Sequence, residues 1–524
     1  MSERRRWKSL SSVAGRLILG AAIALGAVPS AWAQSTSVKT PSGTIEGVAV
    51  PGYVEFLGIP YAAPPIGALR WMPPQPAAPL ADPFQATSFA PHCAQVASPF
   101  GIASNSEDCL YLNIYVPDGS SPNPFQRHPV MVWFHGGAFV VGESDDYGAS
   151  KFIAQNDTIV VTVNYRLGAL GFLALPAFAA ENSAGITGNY AIQDQQFALK
   201  WVRQNIAAFG GDPENVTIFG ESAGGAAVVA HLVSPTAAGL FQRAIIESGS
   251  ALTLPTQASA ETQGEAFAAA VGCPGATAAC LRAVPVATLL ADQGSGANPV
   301  IDGHVIPVSP GIAFSDGRFN HVPILNGTNH DEFRLFVALD FNFVGGPITA
   351  AEYPAVIAAE VGTAAVPAVM AHYPLSDYPS PDLAVATLIT DGFFSCPALT
   401  LDQLASKFVP VFAYEFADEN APELFLPPTT FPYGAAHASE IQYLFALPQT
   451  ASYTAAQLTL SETMDRYWTS FASEGAPDFA VVPGWPRFSA RLGNFQSLVP
   501  STPTQTVDFA TDHNCAFWAA LGGD

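Results

Sequence analysis

Gly220-Glu221-Ser222-Ala223-Gly224 is the stretch that decides the fold class of this 524-residue chain. It follows the apolar, β-type run Val216-Thr217-Ile218-Phe219, and a helix-compatible run begins after it at Gly225. A strand, a sharp turn with serine at its tip and a following helix make a nucleophile elbow. Small residues flank the serine because strand and helix come too close there for larger side chains. A plain glycine-rich turn is the alternative for the pentapeptide taken alone.

A second glycine-rich turn lies upstream, in Trp133-Phe134-His135-Gly136-Gly137-Ala138-Phe139. In α/β hydrolases an H-G-G-G-type loop and the residue after the nucleophile supply the N–H groups of the oxyanion hole. We therefore predict that Gly137, Ala138 and Ala223 are the donors. Ala138 replaces the third glycine of the pattern but keeps its N–H. An ordinary strand-ending turn is the alternative interpretation.

A carboxylate for the site is predicted in the polar loop after the apolar run Val322-Pro323-Ile324-Leu325-Asn326. Parallel sheets build their sites just past the carboxyl ends of their strands. Chemistry alone leaves both Asp331 and Glu332 as candidates, and a solvated loop carboxylate as the alternative.

Ten histidines are present, and His437 is the candidate base because the run Gly434-Ala435-Ala436 could aim its ring at Ser222. His330 is its one serious rival. The order Ser222, Glu332, His437 is that of nucleophile, acid and base in α/β hydrolases. A histidine base of ordinary pKa predicts that activity falls on acidification through roughly pH 6–7. The other histidines are assigned to structure, with His135 in packing and three in surface loops: His92, His128 and His513.

The chain resembles the type B carboxylesterases, a group that includes bacterial p-nitrobenzyl esterases, animal carboxylesterases and cholinesterases. The segments that carry the resemblance, besides the elbow and the oxyanion turn, are Phe56–Ala62, Leu69–Pro74, Ser106–Asn113, Asn164–Gly168, Gly188–Gln195 and Phe209–Pro213. The resemblance covers essentially the whole mature chain. It implies Glu332 rather than Asp331 as the acid, although Phe333 stands where the family usually has glycine. It also implies two structural ion pairs, Arg70 with Glu107 and Arg166 with Asp194.

The N-terminus has the pattern of a cleavable secretory signal, residues 1–33. Basic residues precede an apolar run from Leu17 to Val28, and Ala31-Trp32-Ala33 is an A-x-A cleavage site. The apolar run is too short for a typical membrane span, so we predict no stable membrane anchor. An uncleaved anchor is the alternative. The mature chain, residues 34–524, is predicted to be one domain that is secreted or periplasmic.

Six cysteines in an exported chain predict disulfides. Proximity in sequence favours Cys93–Cys109 and Cys273–Cys280, which leaves Cys396–Cys515, and the resemblance implies the same pairing. The formal net charge of −23 argues against nucleic acid and anionic membranes as partners. No cofactor or metal is predicted, and Glu143, Asp145 and Asp146 are interpreted as a solvated loop. The sequence indicates no oligomeric state.

Strand-like and helical runs alternate along the chain, which predicts an α/β fold with a mostly parallel central sheet and helices on both faces. Residues 40–60 suggest an antiparallel hairpin. Parallel strands are predicted at Val130–Phe134, Ile159–Val163, Val216–Phe219, Ala244–Glu247, Val322–Asn326 and Val411–Phe416, and a helix at Ala191–Ala208. Residues 255–320 and 340–440 are predicted to be insertions that cap the sheet and line the substrate gorge.

The predicted activity is acyl transfer from neutral, hydrophobic, short-to-medium esters through a covalent acyl-serine. The loop from Cys93 to Cys109 contains no tryptophan that could bind a quaternary ammonium, so no preference for choline esters is expected. Seven phenylalanines are expected to line the gorge or enter the core: Phe139, Phe333, Phe336, Phe341, Phe343, Phe393 and Phe394. Amidase or peptidase action, and a catalytically dead binding protein, are the alternatives.

Overall fold

An eleven-stranded sheet runs through the centre of the protein. The computed structural model describes residues 36–522 except residues 121, 124, 295, 450 and 479, so the predicted signal peptide lies outside the described residues. The strands are β1 (Ser37–Thr40), β2 (Gly43–Glu46), β3 (Val48–Val50), β4 (Tyr53–Pro60), β5 (Phe84–Gln85), β6 (Tyr111–Pro117), β7 (His128–Phe134), β8 (Ile159–Val163), β9 (Gly211–Glu221), β10 (Arg243–Glu247), β11 (Ile324–Asn329), β12 (Val411–Phe416), β13 (Phe495–Leu498) and β14 (Thr504–Thr506).

Helices fill most of the chain between these strands. They are α1 (Ser150–Asn156), α2 (Gly168–Phe172), α3 (Pro176–Ala179), α4 (Tyr190–Asn205), α5 (Ala223–Val233), α6 (Gln257–Ala270), α7 (Ala278–Ala283), α8 (Val286–Asp292), α9 (Pro310–Ser315), α10 (Arg334–Val337), α11 (Tyr353–Val361), α12 (Val366–His372), α13 (Pro381–Ile389), α14 (Cys396–Ala405), α15 (Ile441–Leu444), α16 (Ala455–Glu474), α17 (Phe509–Asp512) and α18 (Cys515–Leu521). Short 3-10 helices cover Gly67–Leu69, Ser144–Asp146, Ile206–Phe209, Pro235–Ala237 and Leu375–Asp377, and π-helical turns cover Ala338–Asn342 and Thr390–Ser395.

The strand order of the large sheet is β14-β13-β12-β11-β10-β9-β7-β8-β6-β4-β3. All neighbours from β8 across to β13 pair in parallel, and the pairs at the two margins are antiparallel. The carboxyl ends of the parallel strands therefore meet along one edge. The elbow follows β9 on that edge, between the ends of β7 and β10, and the turn after β11 lies one strand further along.

Alternate residues of the central strands enter two separate cores, one on each face of the sheet. In β7, Val132 and Phe134 pack with residues of α4 and α5, whereas Met131 and Trp133 pack with residues of α1 and α16. Because a strand buried on both faces is mostly apolar, β7 from Val130 onward and β8 apart from Thr162 are hydrophobic runs. The predicted α/β-hydrolase architecture is confirmed.

The strand predicted at Val322–Asn326 lies at Ile324–Asn329, and the one predicted at Val216–Phe219 extends over Gly211–Glu221. Two further predicted elements differ from the structure. The hairpin expected over residues 40–60 is two hairpins, since β1 and β2 belong to a separate three-stranded sheet with β5, and only β3 and β4 join the large sheet. The helix predicted to reach Ala208 stays α-helical only to Asn205 and then tightens into a 3-10 turn. Short half-polar strands and helix ends carry weak periodicity, which explains both differences.

The run Pro381–Ala405, which joins α13, a π-turn and α14, is long and apolar enough to cross a membrane by length and composition. In the fold, 61% of its most apolar 18-residue stretch is buried inside the protein. The side chains that make it apolar, among them Leu388 and Leu401, pack in the hydrophobic core. Its hydrophobicity is accounted for by this packing.

Three disulfides join the cysteines, Cys93–Cys109, Cys273–Cys280 and Cys396–Cys515, in the pairing that the sequence favours. Both implied ion pairs are also present. Arg70 binds Glu107 through Nε and Nη2, and Arg166 binds Asp194 in the same two-pronged way. These contacts anchor loops around the sheet and lie apart from the elbow chemistry.

Candidate active site

Ser222 stands at the tip of the turn between β9 and α5, with φ 57° and ψ −120°. A non-glycine residue in this region is strained and persists only where its surroundings enforce it. Two backbone hydrogen bonds do so, from Ser222 N to Glu247 O at 2.8 Å and from Ala226 N to Ser222 O at 2.9 Å. The strained turn lifts the side chain out of the sheet and into a cavity.

The elbow glycines are required by close packing against the end of β7. A Cβ on Gly224 would lie 1.9 Å from Phe134 O, and one on Gly220 would lie 2.6 Å from the same oxygen. A Cβ on Gly136 would meet Glu221 Oε2 at 2.7 Å. The small residues of both motifs therefore have one physical cause, the near contact of the two turns.

The turn after β7 lines the same cavity with Gly136, Gly137 and Ala138. Gly137 has φ +101°, and a Cβ there would lie 2.2 Å from Val141 O, so only glycine fits. Within the described part of the chain, the N–H groups of Gly137 and Ala138 donate no hydrogen bond. Ala223 is the first residue of α5, and the N–H of a first helical residue has no partner within its helix. These are the three groups predicted as oxyanion donors.

His135 of the same motif is a packing residue, as predicted. Its ring stacks on Tyr165 with centroids 4.4 Å apart, and burial lowers its pKa to about 4 despite its contact with the Gly136 carbonyl. The neutral ring packs between Tyr165 and the backbone of the turn at Gly136.

His437 and Glu332 meet directly, with Nδ1 and Oε2 2.6 Å apart. The other oxygen of Glu332 accepts a hydrogen bond from Asn329 N at 2.8 Å, and His437 N donates to Glu332 O at 3.2 Å. Both side chains are buried. The carboxylate is thus fixed by its own loop and in turn orients the imidazole.

Asp331 and His330, the alternatives for acid and base, are occupied elsewhere. Asp331 accepts a hydrogen bond from Ala435 N at 3.0 Å and pairs with Arg334 at 2.8 Å. The His330 ring binds this same Asp331. Asp331 therefore joins the loop that carries Glu332 to the loop that carries His437. Among the described residues, it makes no hydrogen bond to the imidazole of His437.

Two further carboxylates, Glu221 and Glu440, lie near His437, and no sequence pattern predicts this. Glu221 Oε1 lies 3.1 Å from His437 Nε2, within ion-pair distance but out of hydrogen-bond alignment. Burial raises the pKa of Glu221 to about 8 and that of Glu440 to about 7. Burial lowers the pKa of His437, but Glu221 and Glu332 outweigh it and raise the value to about 9. We therefore expect the loss of activity on acidification to begin at higher pH than it would with a histidine of ordinary pKa.

A cavity of about 460 Å³ opens beside Ser222 and His437. Most of its wall is apolar, and among the described residues that line it there is no lysine or arginine. Residues of both predicted insertions line it, together with the two glycine turns. Its aromatic and acidic lining residues include Phe100, Asp146, Glu221, Phe336, Asp340 and Phe425.

The predicted phenylalanines divide between the active-site cavity, the core and the surface, where Phe343 and Phe393 are 42% and 49% exposed. Phe336 lines the cavity, and the ring of Phe394 lies 5.2 Å from that of His437. Phe139 packs in the core against Phe172, and Phe393 lines a different cavity. Single sequence positions cannot show which side of a helix or turn faces the gorge.

The interpretation of residues 143–146 as a solvated loop is wrong. Glu143 is buried, its carboxylate accepts the N–H of Ile102, and burial raises its pKa to about 7. Asp145 pairs with His92 at 2.9 Å. Asp146 lines the active-site cavity, and burial raises its pKa to about 6.

The assignment of His513 to a surface loop is also wrong. The residue is 3% exposed, and both ring nitrogens contact carboxylates, Asp391 at 2.8 Å and Glu415 at 2.6 Å. Its partners are about 100 residues away in sequence, so no local pattern signals the contact.

Comparisons with known proteins agree with this geometry. Residues 34–518 match the model of the carboxylesterase family. The chain is 36% identical to para-nitrobenzyl esterase of Bacillus subtilis (strain 168), over 86% of this chain and 92% of that protein. It is 36% identical to fumonisin B1 esterase of Sphingopyxis macrogoltabida, over 92% and 90% of the two chains. It is 34% identical to acetylcholinesterase of Bungarus fasciatus, over 93% and 86%. An α/β-hydrolase sheet, a strained serine elbow and these full-length matches place the chain in the carboxylesterase family, the serine hydrolases of carboxylic esters.

Proposed function

We propose that this esterase acts through a covalent acyl-Ser222 intermediate, with His437 as general base and Glu332 as its orienting acid. His437 takes the proton of the Ser222 hydroxyl as its oxygen attacks the ester carbonyl. The alcohol leaves with that proton, and water activated by the same imidazole then releases the acid. The observation that carries the proposal is the 2.6 Å contact of Glu332 with Nδ1, which leaves Nε2 beside the cavity that Ser222 lines.

The tetrahedral oxyanion would be stabilised by the N–H groups of Gly137, Ala138 and Ala223. Donors fixed in advance stabilise developing charge without reorganising during the reaction. Support comes from the absence of any other acceptor for Gly137 and Ala138 in the described residues, and from the position of Ala223 at the start of α5.

The substrates are proposed to be neutral, hydrophobic esters with short-to-medium chains. A volume of about 460 Å³ suits a small organic ligand, and the wall is mostly apolar. Among its described lining residues, Asp146 and Asp340 carry carboxyl groups and none is a lysine or arginine, so an ester with its own carboxylate would be repelled.

Choline esters are not expected to be favoured. The loop between Cys93 and Cys109 offers Phe100 to the cavity and contains no tryptophan. Comparison of kcat/KM for butyrylcholine and for an uncharged ester of equal size tests this point. A tenfold advantage for the choline ester, about 1.4 kcal/mol, would contradict the proposed substrate class.

Export is proposed on two grounds, the N-terminal signal pattern and the three disulfides, which form and persist in oxidising compartments. N-terminal sequencing of protein recovered outside the cytoplasm should begin near Gln34. Full-length protein retained in the cytoplasm would contradict this.

The experiment that tests the mechanism is a rapid-mixing assay with a p-nitrophenyl ester. An acyl-enzyme route predicts a burst of p-nitrophenol that scales with enzyme concentration, provided that deacylation is the slower step. Under the same condition, acid quench followed by peptide mass analysis should find the acyl group on Ser222. A matched p-nitroanilide should turn over far more slowly, and preferential anilide cleavage would favour the amidase alternative.

A further inference from the structure

His513 lies between α17 and α18 and is bonded at both ring nitrogens. Nδ1 lies 2.8 Å from Asp391 Oδ1 and Nε2 lies 2.6 Å from Glu415 Oε1. Carboxylates only accept hydrogen bonds, so both nitrogens donate and the ring is an imidazolium. Burial lowers the pKa of His513, but the two hydrogen bonds outweigh it and raise the value to about 10. The cation therefore persists at neutral pH.

The two partners of His513 belong to segments that hold the acid loop, which we define as residues 330–333. Asp391 follows Thr390, whose Oγ1 accepts a hydrogen bond from Phe333 N at 3.0 Å. Glu415 precedes Phe416, whose carbonyl accepts one from His330 N at 2.9 Å. The loop is thus held at both ends, with Glu332 between the two hydrogen bonds.

Further contacts fix the His513 side of this arrangement. Tyr373 Oη and Asn514 Nδ2 both donate to Asp391 Oδ2, at 2.8 and 3.0 Å. The disulfide Cys396–Cys515 joins the same two stretches of chain covalently. Asp391 is therefore oriented before it meets the imidazolium.

We propose that His513 is a positioning residue for the proposed triad. By joining the segment at 390–391 to the segment at 415–416, its imidazolium fixes both ends of the acid loop and so aims the Glu332 carboxylate at His437 Nδ1. The inference rests on the proposed role of Glu332. Displacement of a catalytic group by even 1 Å can reduce turnover by about 10²-fold, so a distant clamp can affect catalysis strongly.

The test is a double-mutant cycle with His513→Gln and Glu332→Gln on the full chain, read out as kcat and KM on a neutral p-nitrophenyl ester. His513→Gln keeps a hydrogen-bonding side chain but cannot bridge two carboxylates as a cation. We expect it to lower kcat about tenfold with KM unchanged. In the Glu332→Gln background the same substitution should change kcat less than about twofold, because the carboxylate that His513 positions is gone.

His231→Gln is the matched control. His231 is also fully buried and contacts the Gln195 side chain, but it makes no hydrogen bond to the acid loop. Any loss it causes should be equal in both backgrounds. Circular dichroism and thermal unfolding show that each variant is folded at the assay temperature. If His513→Gln does not fold, Glu415→Gln and Asp391→Asn, which each neutralise one arm, replace it in the cycle.

Equal losses in both backgrounds, or no loss in the wild-type background, would overturn the positioning role. Full activity of Glu332→Gln alone would instead refute the proposed acid and remove the basis of the inference. The two failures are therefore distinguishable within one set of four proteins.

Discussion

Two buried histidines in this esterase are each placed between two carboxylates, yet only one is arranged for chemistry. His513 donates hydrogen bonds from both nitrogens, to Asp391 and Glu415, so neither nitrogen is available to accept a proton. His437 is bonded at Nδ1 to Glu332, while its Nε2 makes no hydrogen bond within the described chain and lies beside the cavity. Carboxylates raise the pKa of both, to about 10 and about 9. A perturbed pKa thus identifies both clusters, and an unbonded nitrogen at a cavity separates them.

The largest expected effect on kcat is at Ser222, the proposed nucleophile, which only the His437 cluster has. Ser222→Ala should reduce kcat by roughly 10⁵-fold or more while the fold is retained, since loss of a triad nucleophile removes nearly all covalent catalysis. A fluorophosphonate should label Ser222 in the wild type and nothing in the variant, as intact-mass and peptide analysis can show. Labelling of another serine, with activity surviving in the variant, would contradict the assignment.

Neutralising one carboxylate in each cluster compares them directly. Glu332→Gln should lower kcat about 10³-fold, because the imidazole loses its orienting acid. Glu415→Gln, the same substitution beside His513, should lower it about tenfold or less. The measurement is kcat on one ester for both variants. A larger loss for Glu415→Gln would reverse the roles given to the clusters.

The pH profile sharpens the comparison further. His437 must be neutral to accept a proton, so kcat/KM should rise with pH through the raised pKa of His437, near 9, rather than through 6.5. Glu221→Gln removes one of the carboxylates that stabilise the imidazolium of His437. The acidic limb of the kcat/KM profile of this variant should therefore move to lower pH. Glu181→Gln, an exposed residue paired with Arg282, is the control and should leave the limb in place. A limb near 6.5 in the wild type would show that the carboxylates do not act on His437 as described.

The smallest expected effect concerns the charge of the cavity beside His437. At pH 8 the neutral ester should be preferred over one bearing a terminal carboxylate, and Asp146→Asn should reduce that preference roughly threefold to fivefold. Asp118→Asn changes the net charge equally but lies just after β6, at the edge of the sheet away from the site. An unchanged ratio in Asp146→Asn, or an equal change in Asp118→Asn, would show that Asp146 does not select substrate charge.

The sequence predicts this site best where function depends on local geometry. The elbow and the oxyanion turn need glycine at Gly224 and Gly137 because backbone atoms approach within 1.9 and 2.2 Å of where a Cβ would lie, and such needs leave short readable motifs. The contacts of Glu221 with His437 and of His513 with Glu415 join positions about 100 or more residues apart. No periodicity or spacing encodes them, because they depend on how distant segments pack. The same holds for Phe139, which looks like a gorge residue in sequence and is part of the core.

The π-helical turn Thr390–Ser395 has a consequence for how such a site could change through insertions and deletions. An extra residue in one helical turn shifts everything after it by about 100° around the axis. Here the turn directs Phe393 toward one cavity and Phe394 toward the ring of His437. Loss of a single codon in this turn would restore a regular helix and rotate the aromatic wall of the site while the sheet stayed in register. Length variation at this turn could therefore change the shape of the ester pocket, and activity profiles of one-residue deletions across 392–395, which leave Thr390 and Asp391 in place, would reveal it.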